Sequence, residues 1–589
     1  MKRTRRAGIR LTLTVVTVFL IVAVFTGRLF QLQVIEAPAL DKTSALHQTT
    51  TVTTPGTRGS IVDENGTVLA LSVDRYNITV APVQLVAGYD RKANDPSTFL
   101  SLDANLARLA KVTGLKVSKM KAIIEQNPKS QYAMLDPGVN LAMLDKIDAL
   151  KIPGIYPRKV AARSYPEGEI AGNIVGFVGA SGAQAGVELE YNKCLASTPG
   201  ESTYQTGADG TPIPGSTVKE TNPVNGGTLQ LTIDADLQYE VQQAIAAQAQ
   251  KIGAAWATAI VERVKDGHLM VVADYPSVDP NDPSATPGKY QGSLAITQPY
   301  EPGSTFKSMS AAALIDAGKI TPTTEIVVPP VLRLSNGGSI KDSFYHGTLH
   351  YTTAGVLENS SNIGISILSE NLNEDARRAY MVKFGIGQKT AVDFPGQANS
   401  AGVTGYLPKT PWDVVTTKSV EFGQGVTATS LQVAQLYETI ANHGLREPST
   451  LVEGCKLPDG KIIDTQQTKP VQVVSAKAAD EVRGMLETVV TGGPVGPLLR
   501  VPGYRIAAKT GTAQVAQASG GYGDQVITSV AGMAPAEDPQ YVVVVTFGPT
   551  TLTTSAVAAP AFTAVMTDVL KKYRVPPSTT PAPYVQTTW

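Results

Sequence analysis

Apolar and polar positions fall into stretches of different period along the chain. The first is Leu11 to Gly27, LTLTVVTVFLIVAVFTG, which carries no charge and follows Lys2, Arg3, Arg5, Arg6 and Arg10. At 1.5 Å of rise per residue this run spans about 25 Å. Ile9, Leu29 and Phe30, with Arg10 and Arg28 snorkelling at the two ends, extend it to one hydrocarbon thickness. The pattern predicts a single membrane-spanning helix over 11–30. By the positive-inside rule, 1–10 is a cytoplasmic tip and everything after the helix lies outside. A cleaved leader ending at Ala37-Pro38-Ala39 fits less well, because the run exceeds a usual leader core and Pro38 sits inside the cleavage motif. No second apolar run of spanning length follows.

From about 40 to 225 the pattern changes often. Gly-Thr-Arg-Gly at 56–59, Asn65-Gly66, a helical stretch near 103–128 and a Gly-rich passage over 168–186 predict short strands joined by loops. Ser, Thr, Pro and Gly crowd 196–227, which marks a boundary or an extended connector. Beyond it, Leu229 to Ile233 alternates as a strand and Leu237 to Ile252 has helical spacing. Ala257 to Val264 and Leu269 to Ala273 form a hairpin closed by Lys265-Asp266-Gly267. Near the other end, Ile527 to Ala534 and Tyr541 to Phe547 are two further strands, and a helix runs from about Ala558 to Tyr573. Strands at both ends with helices between them predict an α/β unit over 226–575 whose sheet joins its two termini. Residues 576–589, rich in Pro and Thr, are expected to be a loose tail.

A chain of 589 residues should hold about three or four folding units. Fifty Lys and Arg balance fifty Asp and Glu, so no basic surplus exists to hold a nucleic-acid backbone. Cys194 and Cys455 are the two cysteines, which excludes a disulfide scaffold or a Cys-rich metal site and leaves their pairing open. His346 and His350 have i, i+4 spacing, but Gly347 between them argues against a helix and no third ligand is evident, so no metal is expected.

Candidate chemistry begins at Glu301-Pro302-Gly303-Ser304-Thr305-Phe306-Lys307, which opens a helix with an apolar side formed by Phe306, Met309, Ala313 and Ile315 to Ala317. An i, i+3 spacing places the Ser304 hydroxyl beside the Lys307 amine, and a neutral amine there can take the hydroxyl proton. Burial, a second cation and the positive end of the helix would each favour the neutral form. The same helix start offers N–H groups to an oxyanion. The spacing alone identifies nothing, since it recurs at Ser118 with Lys121 and at Ser216 with Lys219. Ser216 is followed by a segment that cannot continue a helix, and Ser118 lacks both the Pro-Gly lead-in and partner motifs. Two further motifs complete the set. Ser360-Ser361-Asn362 stands at a loop or helix edge, although Ser369-Glu370-Asn371 shows how easily that pattern arises. Lys509-Thr510-Gly511-Thr512 lies on a strand whose Gly511 would let a substrate backbone approach.

S-x-x-K, S-x-N and K-T-G in this order resemble the signature of penicillin-binding proteins and serine β-lactamases. The chain most resembles a class B penicillin-binding protein, and the likeness runs nearly end to end. It includes Arg28 to Gln33, Pro55 to Ile61, Arg163, Tyr165-Pro166, Gly186-Val187-Glu188, Phe394-Pro395-Gly396 and Phe422-Gly423-Gln424-Gly425. The resemblance implies a pedestal or dimerisation domain over 31–225, mostly β and α+β. It also implies a penicillin-binding transpeptidase domain over 226–575, with an antiparallel sheet flanked by helices as in serine β-lactamases. The implied reaction is cross-linking of peptidoglycan stem peptides with release of D-alanine, without a cofactor. Ser304 would be the nucleophile and Lys307 the base. Ser360 would relay a proton, Asn362 would hold the substrate amide, and Lys509, Thr510, Gly511 and Thr512 would form the carboxylate side. The backbone of Ser304 and Thr512 would supply the oxyanion hole. β-Lactams would acylate Ser304.

The exit from the membrane, Phe-Gly-Gln-Gly and the absence of a long pedestal insertion resemble division-type members. Such members work with a membrane-embedded glycan polymerase and other division proteins. A side-wall transpeptidase shares the same motifs. A β-lactamase does not fit, because Glu370-Asn371-Leu372-Asn373 is one residue short of the deacylating segment and too close to Asn362. A β-lactam sensor or wall-binding scaffold would need a signalling route that ten cytoplasmic residues hardly provide.

Overall fold

The computed structural model describes residues 2–37, 49–90, 99–205, 213–217, 219–397, 404–516 and 521–589. The expected spanning segment is a helix over Lys2–Phe30 that continues through a wider turn at Gln31–Ile35. Its large apolar side chains are exposed, from Ile9 to Phe30. Thr12, Thr14, Thr17 and Thr26 each donate their hydroxyl to the carbonyl four residues back, at 2.8–2.9 Å. These four hydroxyls need no water, which is compatible with a lipid surround.

The chain folds as two compact units, one of Met1–Thr57 with Ser197–Asn225 and one of Arg58–Ala196 with Gly226–Trp589. The first holds an antiparallel sheet of Thr49–Thr54, Gly200–Gln205 and Lys219–Thr221. Two of its strands lie within the Ser/Thr/Pro/Gly-rich stretch 196–227 predicted from composition, and the third precedes it.

Within the second unit, one seven-stranded sheet draws strands from both sides of residue 225. The sheet runs Ile462–Ile463, Val452–Lys456, Thr228–Leu231, Ile61–Val62, Val68–Val80 and Ala133–Val139, with Ile155–Ser164 also paired to Val68–Val80. The helical stretch near 103–128 is two helices, Leu102–Thr113 and Val117–Glu125, broken where Gly114 turns left-handed at φ +75°. They bury Leu106, Leu109, Met120 and Ile124 against Ile78 and Val80 of the sheet.

Arg58, Arg163 and Glu188, three residues of the family resemblance, meet in this unit. Glu188 is wholly buried and its two carboxylate oxygens accept from Arg58 Nε at 2.7 Å and Arg163 Nε at 2.6 Å. Arg163 also donates to the Gly59 carbonyl at 2.6 Å. Such a buried triad tolerates the loss of no single member, because the remaining charge would stand unpaired. Cys194 and Cys455, whose pairing composition left open, form a disulfide across 261 residues, from the helix Asn192–Leu195 to the strand Val452–Lys456.

The hairpin Trp256–Arg263 and Leu269–Tyr275 joins the late strands Tyr541–Thr550, Tyr522–Ala534 and Ala507–Ala516 in a five-stranded antiparallel sheet, as the pattern predicted. Helices cover both faces, so these strands read as nearly unbroken apolar runs. Alternate side chains of Tyr541–Thr550 enter different cores, as the two-residue period of a strand requires. Val543 and Val545 pack with Val241, Ile245, Phe562 and Val565 of the helices Ala235–Ile252 and Ala559–Lys572. Val542 and Val544 belong to the opposite core with Phe306, Met309, Leu436 and Met485 of the central helices.

The expected loose tail is instead held along this unit. Thr352 N donates to Thr587 O at 3.1 Å, Trp589 Nε1 donates to Tyr351 O at 3.0 Å, and Ser578 N donates to Gly503 O at 2.9 Å. Gly355 has no side chain at the point where Thr587 O would meet one, at 1.9 Å. Pro- and Thr-rich composition favours extended backbone, and here that backbone finds a strand edge to bond to.

Because the disulfide closes a very long loop, replacing both cysteines by alanine should lower unfolding free energy by about 3–5 kcal/mol. A fall in melting temperature of the purified exported part, matched by adding a thiol reductant to the unmodified protein, checks it.

Candidate active site

Ser304 lies in a tight 3₁₀ turn, Gly303–Phe306, that leads directly into the helix Lys307–Asp316. This helix was expected to have one apolar side, but it is buried all round, from Lys307 to Ile315. Its hydroxyls are therefore satisfied internally, Ser308 with Tyr437 at 2.9 Å and Ser310 with the Glu421 carbonyl at 3.0 Å. The turn is braced from two directions. Gly303 N donates to Gly423 O at 3.0 Å, and a Cβ on Gly423 would lie 2.3 Å from Gly303 O. On the other side, a Cβ on Gly511 would lie 2.8 Å from Pro302 O and 2.5 Å from Ser529 Oγ. Gly511 thus lets the strand close on the serine turn, a different neighbour from the substrate backbone expected at that position.

Ser360 sits between the helices Thr353–Glu358 and Asn362–Leu368 with φ +56°, a left-handed backbone that few residues other than glycine adopt. Ser361 caps the second helix by accepting from Gly364 N at 2.9 Å, and Asn362 is its first residue. Lys509, Thr510, Gly511 and Thr512 lie on Ala507–Ala516, an edge strand of the five-stranded sheet.

The three motifs converge at the Lys307 amine. Lys307 is fully buried, and its Nζ lies 2.8 Å from Ser304 Oγ, 2.6 Å from Ser360 O, 2.7 Å from Asn362 Oδ1 and 3.1 Å from Ser360 Oγ. Lys509, also fully buried, donates to Ser360 Oγ at 2.9 Å and to Thr510 O at 3.2 Å. The Ser360 hydroxyl therefore bridges two amines. Burial holds the Lys307 amine well below the usual lysine range, the Lys509 charge pushes the same way, and Asp342 opposes them. Burial brings Lys509 down to about 7. An open cleft of about 980 Å³ reaches these groups, lined by Ser304, Ser360, Asn362, Lys509, Thr510 and Thr512. Seven of the eight expected residues thus share one amine cluster or its cleft, and Gly511 supports the strand from behind.

The other matches to the motif spacing go elsewhere. Lys121 is on an exposed helix face bound to Asp103 at 2.8 Å, and Ser216 donates to Ile213 O at 2.6 Å in a turn. Glu370 pairs with Lys418. His346 lies against Asp342, whereas His350 stacks edge-on against Trp589 at 4.7 Å, so the two imidazoles have separate partners. Motif reading missed Glu301, Gly425 and Tyr522. Glu301 accepts from Gly425 N at 2.8 Å and from Tyr522 OH at 3.1 Å, tying the serine turn to the Phe-Gly-Gln-Gly element and the neighbouring strand. A Glu directly ahead of Pro-Gly-Ser was its only sequence signal.

Residues 257–567 match the model of the penicillin-binding protein transpeptidase domain, and residues 53–231 match that of the penicillin-binding protein dimerisation domain. Penicillin-binding protein PbpB of Mycolicibacterium smegmatis is 32% identical over 97% of this chain and 91% of its own length. Peptidoglycan D,D-transpeptidase FtsI of Escherichia coli is 30% identical over 95% of this chain and 91% of its own length. Among solved structures, a peptidoglycan synthetase of Bifidobacterium adolescentis superposes with a TM-score of 0.72 at 30% identity, over 92% of this chain and all of the other. Penicillin-binding protein 3 of Mycobacterium tuberculosis, solved with aztreonam, gives 0.69 at 27% identity, over 91% of this chain and all of the other. With a transpeptidase model covering more than half of its length, a dimerisation model ahead of it and three motifs meeting at one buried amine, this chain belongs to the penicillin-binding proteins, in their class B arrangement.

Proposed function

We propose that the protein is a membrane-anchored peptidoglycan D,D-transpeptidase that cross-links stem peptides through a Ser304 acyl-enzyme. The observation that carries this reading is the surround of Lys307. A neutral amine has two N–H donors and one lone pair. Ser360 O and Asn362 Oδ1, at 2.6 and 2.7 Å, can only accept, so they take both donors. The lone pair is left for the Ser304 hydroxyl at 2.8 Å. The site thus favours the base form of lysine and aims it at the nucleophile.

In the first step the Ser304 oxygen bonds to the carbonyl carbon of the penultimate D-alanine, and its proton passes to Lys307. The C–N bond to the terminal D-alanine breaks, and the leaving amine takes a proton through Ser360, which sits between Lys307 and Lys509. In the second step the amine of another stem attacks the ester, loses a proton to the same relay and restores Ser304. Oxyanion stabilisation falls to the N–H groups of Ser304 and Thr512. The donor's carboxylate is received by Lys509 with Thr510 and Thr512, and Asn362 holds its amide backbone. Ala507–Ala516 is an edge strand, to which an extended peptide can add by backbone hydrogen bonds. β-Lactams enter as mimics of this peptide.

The basic tip before the spanning helix supports an amino terminus in the cytoplasm and a catalytic unit outside. A separate glycan polymerase in the same membrane is the partner this arrangement calls for. Similarity to FtsI of E. coli supports a role at the division septum.

Ser304→Ala should abolish covalent labelling of the purified exported part by a fluorescent penicillin. Lys307→Ala should slow labelling about 10²–10⁴-fold, and Lys307→Arg should not restore it, because a guanidinium does not lose its proton at working pH. Acylation by a carboxylate-bearing β-lactam should follow a bell-shaped pH profile. The rate rises as Lys307 deprotonates on the acid side and falls above about 7, where Lys509 loses the charge that holds the carboxylate. Stopped-flow labelling across pH measures both limbs. A fluorescent fusion should collect at the septum, and uniform side-wall signal would reassign the role.

A further inference from the structure

The segment just before the S-x-N turn has no part in the three motifs, yet it holds that turn from beneath. Asn362 Nδ2 donates to Lys341 O at 3.2 Å. Ser361 Oγ donates to Asp342 Oδ2 at 2.7 Å, and Ile363 N donates to Asp342 Oδ1 at 3.0 Å. The Asp342 side chain is fully shielded from solvent, and His346 Nε2 lies 3.2 Å from its Oδ2. The imidazole is itself 5% exposed, stands against the Phe344 ring at 5.1 Å, and has Nδ1 at 2.5 Å from Gly347 O. A carbonyl only accepts, so Nδ1 carries a proton. Nε2 is buried beside the carboxylate with no hydrogen-bond partner. Asp342 and His346 thus form a buried carboxyl–imidazole pair.

We propose that Asp342 is a positioning residue of the acyl-transfer site. It sets the direction of the Ser360 and Asn362 groups that take the protons of Lys307, and its charge acts on the Lys307 amine. This rests on the reading of Ser304 and Lys307 as nucleophile and base. The groups that face Asp342 are Lys307 from the serine helix, His346 from its own loop and the Tyr351 phenol from the adjacent strand. Lys307 faces Lys509 as well. Asp342 favours the ammonium form of Lys307, against burial and Lys509.

The sign of each substitution follows. Asp342→Asn keeps the size of the side chain and removes its charge, so Lys307 holds its proton less firmly. Asp342→Ala removes the supports of the turn. A buried charge at this range moves a neighbouring group by about 1 pH unit or more.

The test uses the exported part with its membrane helix replaced by a soluble tag, and begins with complete labelling of the unmodified protein at Ser304 by fluorescent penicillin. That step stands or falls on the transpeptidase reading alone. Acylation rates are then measured against pH for Asp342→Asn, with melting temperature as a folding control. The expected result is an acid limb shifted to lower pH. Asp342→Ala should label to completion about 10–100-fold more slowly, with Asp342→Asn recovering most of that loss. A support with a purely structural role would lower rates or melting temperatures without moving the acid limb. An unmoved limb, a limb moved to higher pH, or Asp342→Ala acylating at the unmodified rate would overturn the proposal.

Discussion

The site depends on keeping an amine dry. A lysine in water is protonated at neutral pH and useless as a base, and desolvation is what reverses this. Desolvating Lys307 without partners would be ruinous for folding, because an unpaired buried polar group costs more than a hydrogen bond returns. Here the Ser360 carbonyl and the Asn362 amide oxygen meet the amine at 2.6 and 2.7 Å, and Lys509 stands close enough to add its own positive field. The left-handed backbone of Ser360 follows from the same need, since it turns the Ser360 carbonyl toward Lys307 while the hydroxyl faces both amines. Strain at Ser360 is thereby offset by the short hydrogen bond that its carbonyl accepts from a buried amine.

The fold exists to bring distant stretches to that amine. The serine turn and its helix lie in the core on one face of a sheet whose strands come from both ends of the domain. The edge strand carrying Lys509 is laid against the turn at Gly511, where absent side-chain atoms let Pro302 O come within contact. Two cores on opposite sheet faces explain how Val542 to Val545 can be an apolar run and still obey strand alternation. Within its core the helix Lys307–Asp316 is buried all round, so that the end carrying Lys307 is fixed by packing in every direction.

Much of this was legible in the amino-acid sequence, for identifiable reasons. Ser304, Lys307, Ser360, Asn362 and Lys509 are chemically scarce combinations, and sheet strands at 257–273 and 527–547 declare themselves by β-branched runs. What local pattern could not reveal depends on partners far away in the chain. Residues 576–589 look loose until the edge at Leu349–Thr352 is known, and no local pattern announces that Thr228–Leu231 pairs with Ile61–Val62. Two cysteines 261 apart carry no sign of their bond. Asp342 belongs to the same class, a lone carboxylate in a polar loop whose meaning lies in Ser361, Ile363 and His346.

The docked carboxyl end bears on how this molecule can be handled. Trp589 rests on His350 and bonds to Tyr351, one helix away from the glutamate and serine at the cleft wall. Any change that pulls Trp589 off His350 and Tyr351 would therefore tug on the segment leading to the cleft. Changes in the basic amino-terminal tip leave these contacts untouched.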